Sequence, residues 1–498
     1  MASIGTSLTT QSSPADGGVS YRGPFAVMTS LFFMWGFTAT FNDILTARFK
    51  EAFTLDYYHM TYVQFAFFGA YFTGSLIYFL LSATTGDPIA KIGYKNGVVI
   101  GLLISAAGTG LFWPAANAKS YPMFLAALFI EGLGAAMLQI AANPYVTILG
   151  PEKTASSRLN LAQGFNSIGT TIAPMIGGFL VFQYFARTGA HAAESVKVPY
   201  LVFCLLFLVL AAIFVFIHLP HVGEGHVEPG VGALRFPHVL LGVVAIFMYV
   251  GGEQGIGSVM INFLGQPSVA GLPKVEASKY VAMYWGGLMI GRFMGAVMLS
   301  EMRTARKQLL LVVIPLCAWL LLWVARSAME ALEAMQGGSA ASLIALWNEA
   351  FGADWVVFRT YLPFVGLCWV LVQLGRSHPA RTLVIFSLTV VALLLTAILV
   401  GGKIAMWCVV AVGLFTSIGW SNTFSLALEG TGIYKSQVSS LLVMAILGGA
   451  VLPPLQGKMA DLTQDLRLSF IVPLIAYSYV AFYGLKGHSI GKKTATKG

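Results

Sequence analysis

Long apolar runs are the feature that most constrains how this chain can fold. An α-helix needs about 20 mostly apolar residues to cross the hydrocarbon core of a bilayer. Runs of that length recur along the chain, for example at 95–115, 199–218, 307–326, 381–400 and 466–485. Of the 498 residues, 57% are hydrophobic and 10% are charged, whereas about 25% are charged in a soluble domain. Because so few charges cannot cover a water-facing surface, the sequence predicts an all-α polytopic membrane protein.

The apolar pattern predicts about fourteen membrane-spanning helices. They are expected near residues 25–49, 60–82, 96–116, 121–148, 160–184, 199–218, 236–264, 277–300, 307–326, 359–375, 381–400, 404–428, 436–457 and 466–486. With both termini in the cytoplasm, the inner loops carry more lysine and arginine than the outer loops, as the positive-inside rule requires. In this arrangement the acidic segment 327–357 is expected to be a loop on the outer side.

Short similarities between the two halves of the chain indicate a repeat. Asn143 in AANPYVTILG and Asn422 in WSNTFSLALE are 422 − 143 = 279 residues apart, whereas FFGAYFTG (67–74) and YWGGLMIG (284–291) are 284 − 67 = 217 residues apart. The difference, 279 − 217 = 62 residues, corresponds to about two spans and a loop. We therefore expect two parallel six-helix repeats with a helix pair inserted in the second, and parallel six-helix repeats are the architecture of major facilitator transporters.

These observations divide the chain into five segments. We expect a cytoplasmic tail at 1–22, an N-terminal six-helix bundle at 23–220, a cytoplasmic linker at 221–235, a C-terminal bundle at 236–486 whose inserted helix pair lies between about 305 and 380, and a basic cytoplasmic tail at 487–498.

The charges and cysteines exclude several other classes of protein. The net charge is +9, but the basic residues are scattered through short loops and form no stripe, so no nucleic-acid partner is expected. All four cysteines lie inside apolar runs without pairing or metal spacing. The chain has no GxxxxGK[ST] motif for a nucleotide and no nucleophile or metal-ligand arrangement in the spans. We expect neither an enzyme nor a cofactor.

An acid lies inside the first predicted span. Asp43 is near the middle of FFMWGFTATFNDILTARF (32–49), where a charge costs about 2.5 kcal/mol or more. Acids at bilayer depth are usually functional, because a proton or Na⁺ can neutralise the carboxylate and link that event to substrate binding. We expect Asp43 to bind the coupling cation, as a metal ligand if that cation is Na⁺, with Asn42 supplying a further oxygen. Pairing with a buried arginine, or capping of a helix break, is the structural alternative.

Amide side chains share one face of the fifth predicted span. Asn160, Gln163 and Asn166 follow one another at intervals of three residues, and such residues are neighbours on a helix. Amides both donate and accept hydrogen bonds, as recognition of a sugar with several hydroxyls requires, although they also tie helices together in membranes. Asn143 and Asn422 occupy equivalent repeat positions and either line the cavity or satisfy backbone groups near a helix break.

Other side chains in the spans are candidates for the same site. Glu253 and Gln254 lie among glycines in GGEQGIGS, where the helix is unwound or closely packed, and either side chain would contact a cation or a sugar. Glu131 is a further candidate for the cation. Trp285 and Trp420 would stack on a pyranose, although aromatic residues in spans more often pack or anchor the interface.

Three basic residues are candidates for gating. Arg292, in MIGRFMG, is predicted near the cytoplasmic end of its span, at the gate between the halves. Lys91 and Lys95 lie in GDPIAKIGYKNG (86–97), which resembles the loop between the second and third spans of major facilitators. Orientation of the chain by positive charge is the alternative role of the two lysines.

Several stretches together resemble the fucose–galactose–glucose:cation symporter family, and especially its glucose/galactose branch. They are WGF…NDIL (35–45), VQFAFFGAYF (63–72), LFWPAA (111–116), AANPYVTILGPE (141–152), SSRLNLAQGFNSIGTTIAP (156–174), YVGGEQGIGS (249–258) and SSLLVMAILGGAVLPPLQG (439–457). The resemblance covers nearly all of the chain apart from the tails and residues 330–357.

The resemblance implies a site as well as a function. Asp43 matches an acid that resembles a protonation site in the family's fucose–proton symporter, and Gln163 and Asn166 match substrate-site positions. Gln139 stands where that symporter has a glutamate, and Glu253 where it has an amide. An amide cannot titrate, so the exchange at Gln139 favours Na⁺ over H⁺ as the coupling ion and makes Gln139 a sugar-binding candidate.

The resemblance therefore predicts a monosaccharide importer of the glucose/galactose type, monomeric, in the inner membrane of a bacterium, with the bilayer, a sugar and a monovalent cation as its partners. A fucose-type sugar–proton symporter is one alternative. A fourteen-span drug–proton antiporter is another, because IAPMIGG (172–178) resembles a motif of that class. A sugar receptor that does not transport is a third alternative.

Overall fold

The structure is a computed structural model that describes residues 22–53, 57–178, 196–219, 229–336 and 342–492. The tail at 1–21 and most of the predicted linker lie outside these ranges. Asn42 and Asp43 lie in the first helix, but their side chains are outside the described part of the chain. Every regular element of the described residues is helical, which confirms the predicted all-α class.

The N-terminal half contains seven described helices, one of them short. They are α1 (Arg22–Phe53), α2 (Tyr57–Thr85), α3 (Pro88–Gly110), α4 (Phe112–Asn117), α5 (Tyr121–Ile148), α6 (Ala155–Gly178) and α7 (Lys197–Phe216). Local sequence sets the start of α3, because Asp87 is its N-cap, accepts from the Ile89 amide at 3.0 Å and precedes Pro88 in the first turn.

Ten described helices form the C-terminal half. They are α8 (Pro237–Gly265), α9 (Lys274–Met298), α10 (Thr304–Gln336), α11 (Leu343–Leu374), α12 (Pro379–Val400), α13 (Gly402–Thr416), α14 (Gly419–Leu428), α15 (Lys435–Met444), α16 (Gly448–Thr463) and α17 (Ile471–Leu485). The pairs α13–α14 and α15–α16 each form one interrupted span.

The predicted number of spans is confirmed. Among the described residues, thirteen helical segments are long and apolar enough to cross a membrane. The fourteenth, α6, has 24 residues but is more polar, since it carries the amides that the sequence places on one face. A polar helix of this length fits only inside a bundle, where its amides are shielded from lipid.

Helix packing shows the repeat directly. In the N-terminal half α1 packs on α6, α2 on α5, and α3 on both α5 and α7. The corresponding contacts in the C-terminal half are α8 with α16, α9 with α13, and α12 with α13 and α17. The halves meet symmetrically, because α6 packs on α9 just as α15 packs on α2. This is the predicted arrangement of two six-helix repeats.

Helices α10 and α11 occupy the place predicted for the insertion, between α9 and α12. They pack on each other, and α10 also packs on α9. The prediction that 327–357 is a loop is wrong, since α10 continues to Gln336 and α11 begins at Leu343. The acidic residues that suggested a loop are partly neutralised inside the helix pair, where Arg326 Nε lies 3.1 Å from Asp354 Oδ2.

Candidate transport site

A cavity of about 750 Å³ lies between the two halves. Its N-terminal wall comes from α1, α2, α5 and α6, and its C-terminal wall mainly from α8, α9 and α10. We call the face where α1 begins and α17 ends the terminus side, and the opposite face the far side. The cavity runs from the middle of the bundle to the far side, where its lining includes Lys279 near the start of α9 and Glu330 near the end of α10.

Polar groups of the N-terminal wall lie at the deep end of this cavity. Trp35 Nε1 donates to the Tyr71 hydroxyl at 3.0 Å. Gln139 is buried, and its Oε1 accepts no hydrogen bond from a described residue. Asn166 Nδ2 donates to the Phe32 carbonyl at 3.1 Å. A buried amide oxygen without a partner is costly, so the deep wall is suited to a polar ligand that supplies the missing donor.

A close crossing of α1 and α6 holds Asn166 in this wall. A Cβ on Gly36 would come within 2.2 Å of the Asn166 carbonyl oxygen, so the backbones approach each other there as only glycine permits. Gly36, in the sequence motif WGF, therefore contributes to the site because its lack of a side chain lets α1 and α6 approach each other.

Charged groups of the C-terminal wall face the same space. Glu253 Oε1 accepts from the Tyr249 hydroxyl at 2.7 Å, and Arg292 lines the cavity beside it. Helix α8 is continuous at Glu253, so the neighbouring glycines allow close packing rather than unwinding. At Gly251, for example, a Cβ would come within 2.4 Å of Leu452.

Arg292 joins the two halves at the deep end of the cavity. Its Nη1 donates to Ser167 Oγ at 2.7 Å and to the Gln163 carbonyl at 3.4 Å on α6. Its Nε donates to the Ser417 carbonyl at 3.3 Å, which lies at the break between α13 and α14. Arg292 thus satisfies a backbone oxygen freed by the interruption, near the middle of the bundle. Its predicted gating role is consistent with these contacts and stays a prediction.

The terminus side is closed by hydrogen bonds between the halves. Asn160 Nδ2 donates to Asn422 Oδ1 at 2.9 Å, and Ser157 Oγ donates to the Ala296 carbonyl at 2.5 Å. The Asp87 carboxylate accepts from the Tyr78 hydroxyl at 2.5 Å and also from the Ser436 hydroxyl on α15.

The cavity brings together some of the predicted site residues and not others. Those that line it are Gln139, Asn166, Glu253, Gln254, Trp285 and Arg292. Glu131 lies in a small side pocket that shares Trp35, Ala39 and Phe67 with the main cavity. The remaining described candidates are buried outside the lining: Asn143, Asn160, Gln163, Asn422 and Trp420.

The two predicted gating lysines lie at the terminus side and cap carbonyls of their own half. Lys91 Nζ bonds the Thr85 carbonyl, and Lys95 Nζ bonds the Val215 carbonyl at 2.8 Å. Sequence reasoning missed Asp87, which reaches the other half, although the Asp–Pro pair before α3 marks an N-cap. It also missed the polar residues of α10 in the lining.

Among the described residues no group of three His, Cys, Asp or Glu side chains forms a metal site.

Comparison with known proteins agrees with this architecture. The family model of the Major Facilitator Superfamily matches residues 24–358. The chain is 38% identical to a glucose/galactose transporter of Brucella abortus biovar 1 (strain 9-941), over 94% of this chain and 95% of that protein. It is 27% identical to the L-fucose-proton symporter of Escherichia coli (strain K12), over 96% of this chain and 97% of that protein.

The fold is also similar to a solved structure. The crystal structure of the major facilitator transporter FucP in the outward conformation has a TM-score of 0.69 and 26% identity, covering 94% of this chain and 99% of that chain.

Two helical bundles with a cavity between them define a membrane transporter of the major facilitator class, not an enzyme. The chain belongs to the Major Facilitator Superfamily, in the branch that contains the glucose/galactose and fucose transporters, as the resemblance predicts.

Proposed function

We propose that this chain is a secondary active importer that carries hexoses of the glucose/galactose type together with a monovalent cation. One observation carries the proposal: a cavity between the repeats, lined by buried amides and a carboxylate, reaches one side of the bundle while hydrogen bonds close the other. With the terminus side in the cytoplasm, this is an outward-open state of an inner-membrane protein.

The cavity lining suits a neutral sugar. Gln139, Gln254 and Asn166 offer both donors and acceptors, and Trp285 offers an aromatic face for a pyranose ring. The volume of about 750 Å³ lies in the range of small-molecule sites. The name of the 38% identical relative points to the same substrate class.

Cation coupling is assigned to Asp43, with Asn42 beside it. Asp43 lies one helical turn beyond Ala39 and Thr40, which line the cavity. Gln139 is neutral and cannot titrate, so it cannot exchange a proton with Asp43. This favours Na⁺, a hard cation that takes oxygen ligands, over H⁺. Glu253 and Glu131 are the further acids proposed to affect the ion.

Uptake of a panel of labelled sugars into proteoliposomes, with Na⁺ and pH gradients imposed separately, tests the proposal. We expect glucose and galactose to accumulate when Na⁺ is high outside. Accumulation driven only by a pH gradient would show that the coupling ion is H⁺ and not Na⁺. Preference for fucose would indicate the fucose-type alternative. Counterflow of labelled glucose separates transport from binding alone. Expulsion of a dye without sugar uptake would favour the drug antiporter.

A further inference from the structure

The inserted helix pair contributes directly to the cavity wall. Leu322, Ala325, Arg326, Met329 and Glu330 of α10 line the cavity, as does Phe358 of α11. An insertion that served only to widen the bundle would face lipid and other helices. Here one face of α10 is turned toward the transport pathway.

Tight packing fixes α10 against the repeat. A Cβ on Gly286 of α9 would come within 2.5 Å of Leu322 Cδ1, so α9 and α10 touch where glycine makes room. The rings of Trp323 and Phe351 stack at a centroid distance of 3.7 Å and join α10 to α11. The side chains that α10 presents to the cavity are therefore held in place from both sides.

A network of ionised side chains lies on this part of the wall. Lys279 Nζ on α9 is 3.0 Å from Glu330 Oε1, and Arg326 Nη2 pairs with the same oxygen. Arg326 Nε donates to both Asp354 oxygens at 3.1 Å. Lys279 also lies 3.1 Å from the exposed carboxylate of Glu276.

This network is far from the deep end of the cavity. Lys279 and Arg292 both line the cavity from α9, and 292 − 279 = 13 residues separate them. At about 1.5 Å per residue their backbones are roughly 20 Å apart along the helix. One monosaccharide cannot contact both ends, so the cavity has a deep polar end and a second polar end at the far side.

The chemistry of the second end suits a neutral, hydroxyl-rich ligand. Every charged side chain of this network has an oppositely charged neighbour, so a neutral ligand can bind there without supplying a counter-charge. Ion-paired guanidinium, ammonium and carboxylate groups retain donor and acceptor capacity for hydroxyls. Met329 and Phe358 add apolar surface beside them.

We propose that α10 and the start of α9 form a second sugar-binding subsite, a vestibule in which Lys279, Arg326 and Glu330 bind a monosaccharide before it reaches the deep site. This inference rests on the proposed sugar transport. It gives the inserted pair a role in capturing substrate, and it predicts that the far-side-open protein binds two monosaccharides at once.

Equilibrium binding of labelled glucose to the full chain in nanodiscs, without gradients, tests the vestibule. We expect two sites in the wild type. Glu330→Gln and Lys279→Gln should weaken one site at least tenfold and leave the other unchanged, while Gln139→Ala should weaken the other site. In uptake, both vestibule variants should raise KM several-fold without lowering the maximal rate.

The matched control is Gln308→Ala. Gln308 and Gln373 exchange two amide hydrogen bonds, at 3.1 and 2.6 Å, across the same helix pair but outside the cavity lining. This variant loosens α10 against α11 and should keep both sites. A single site in the wild type, or two unchanged sites in both vestibule variants, would overturn the vestibule and leave sugar transport standing. Absence of any glucose or galactose binding or uptake would instead overturn the proposed function, and the vestibule with it.

Discussion

The two walls of the cavity differ in charge. The described side chains from the N-terminal half that line the cavity are all neutral. Several are aromatic, and the other polar ones are Thr40, Gln139, Asn166, Thr170 and Thr171. The C-terminal half contributes five ionisable side chains to the lining: Glu253, Lys279, Arg292, Arg326 and Glu330. Glu253, Lys279 and Arg292 belong to the repeat itself, and the inserted helix α10 adds Arg326 and Glu330, so the two repeats present different chemistry to the cavity.

This difference suggests a division of roles. Neutral amides recognise hydroxyls without demanding a counter-charge, whereas charged groups in a cavity of low dielectric bind or repel ions strongly. Asp43 is the exception to this division between a neutral N-terminal wall and a charged C-terminal wall, because its proposed coupling role would give the N-terminal wall a charge of its own.

The largest effect is expected for Asp43→Asn. If Asp43 binds the coupling ion, the variant should lose sugar accumulation against a gradient, while exchange of sugar across the membrane persists at a reduced rate. Uptake and counterflow in the same proteoliposomes measure the two activities separately. Asn42→Ala is the neighbouring control and should weaken the ion dependence without abolishing it. Normal accumulation by Asp43→Asn would remove Asp43 from coupling and leave Glu131 and Glu253 as the proposed acids.

A smaller but clear effect is expected for Glu253→Gln. The change removes the carboxylate charge that faces Arg292, and loss of a hydrogen bond to a charged group costs about 1.5–3 kcal/mol. We expect a tenfold or greater rise in the sugar concentration for half-maximal uptake. Tyr249→Phe removes the 2.7 Å hydrogen bond but keeps the carboxylate, so it should change uptake less. Because a glutamine at position 253 can still accept this hydrogen bond, a larger effect of Tyr249→Phe than of Glu253→Gln would show that the hydrogen bond matters more than the charge.

The sequence predicts the fold of this molecule more completely than it predicts the site. The lengths of the apolar runs and the offsets between Asn143 and Asn422 predict the spans, the repeat and the position of the inserted pair. The part of the site on single helices is also predictable, because a polar residue in an apolar helix is conspicuous, as Gln139 and Glu253 are.

Contacts between distant segments are not predictable in this way. Asp354 is 28 residues from Arg326, and without knowledge of that ion pair the acidic segment suggests a loop. Asp87 is 349 residues from Ser436. Likewise, Asn160 has the spacing of a sugar-binding amide, yet its partner Asn422 on the other half decides where its side chain lies.

A moderate effect is expected for Gln163→Ala. Gln163 is buried just below the cavity, and its Nε2 makes no hydrogen bond to a described residue. If this amide bonds the sugar, its loss should raise the half-saturating sugar concentration about five- to tenfold, as expected for 1–1.4 kcal/mol. Gln456→Ala is the matched control, since Gln456 is a buried glutamine outside the lining whose amide bonds the Ser469 hydroxyl and which is not a candidate for the site. Unchanged kinetics for Gln163→Ala would leave Gln139, Asn166 and Gln254 as the amides proposed to bind the sugar.

The smallest effect is expected for Asn160→Ala, which tests the contact between the walls rather than either wall alone. Removing the 2.9 Å hydrogen bond to Asn422 should cost about 1 kcal/mol and shift the ratio of far-side-open to terminus-side-open molecules about fivefold toward the latter. Hydrogen exchange over α14 should rise accordingly. Thr423→Ala is the control, because Thr423 is buried beside Asn422 and its hydroxyl has no described partner. Equal exchange in both variants would mean that the Asn160–Asn422 bond does not hold the terminus side closed, and that the contacts of Ser157 and Asp87 supply the closure.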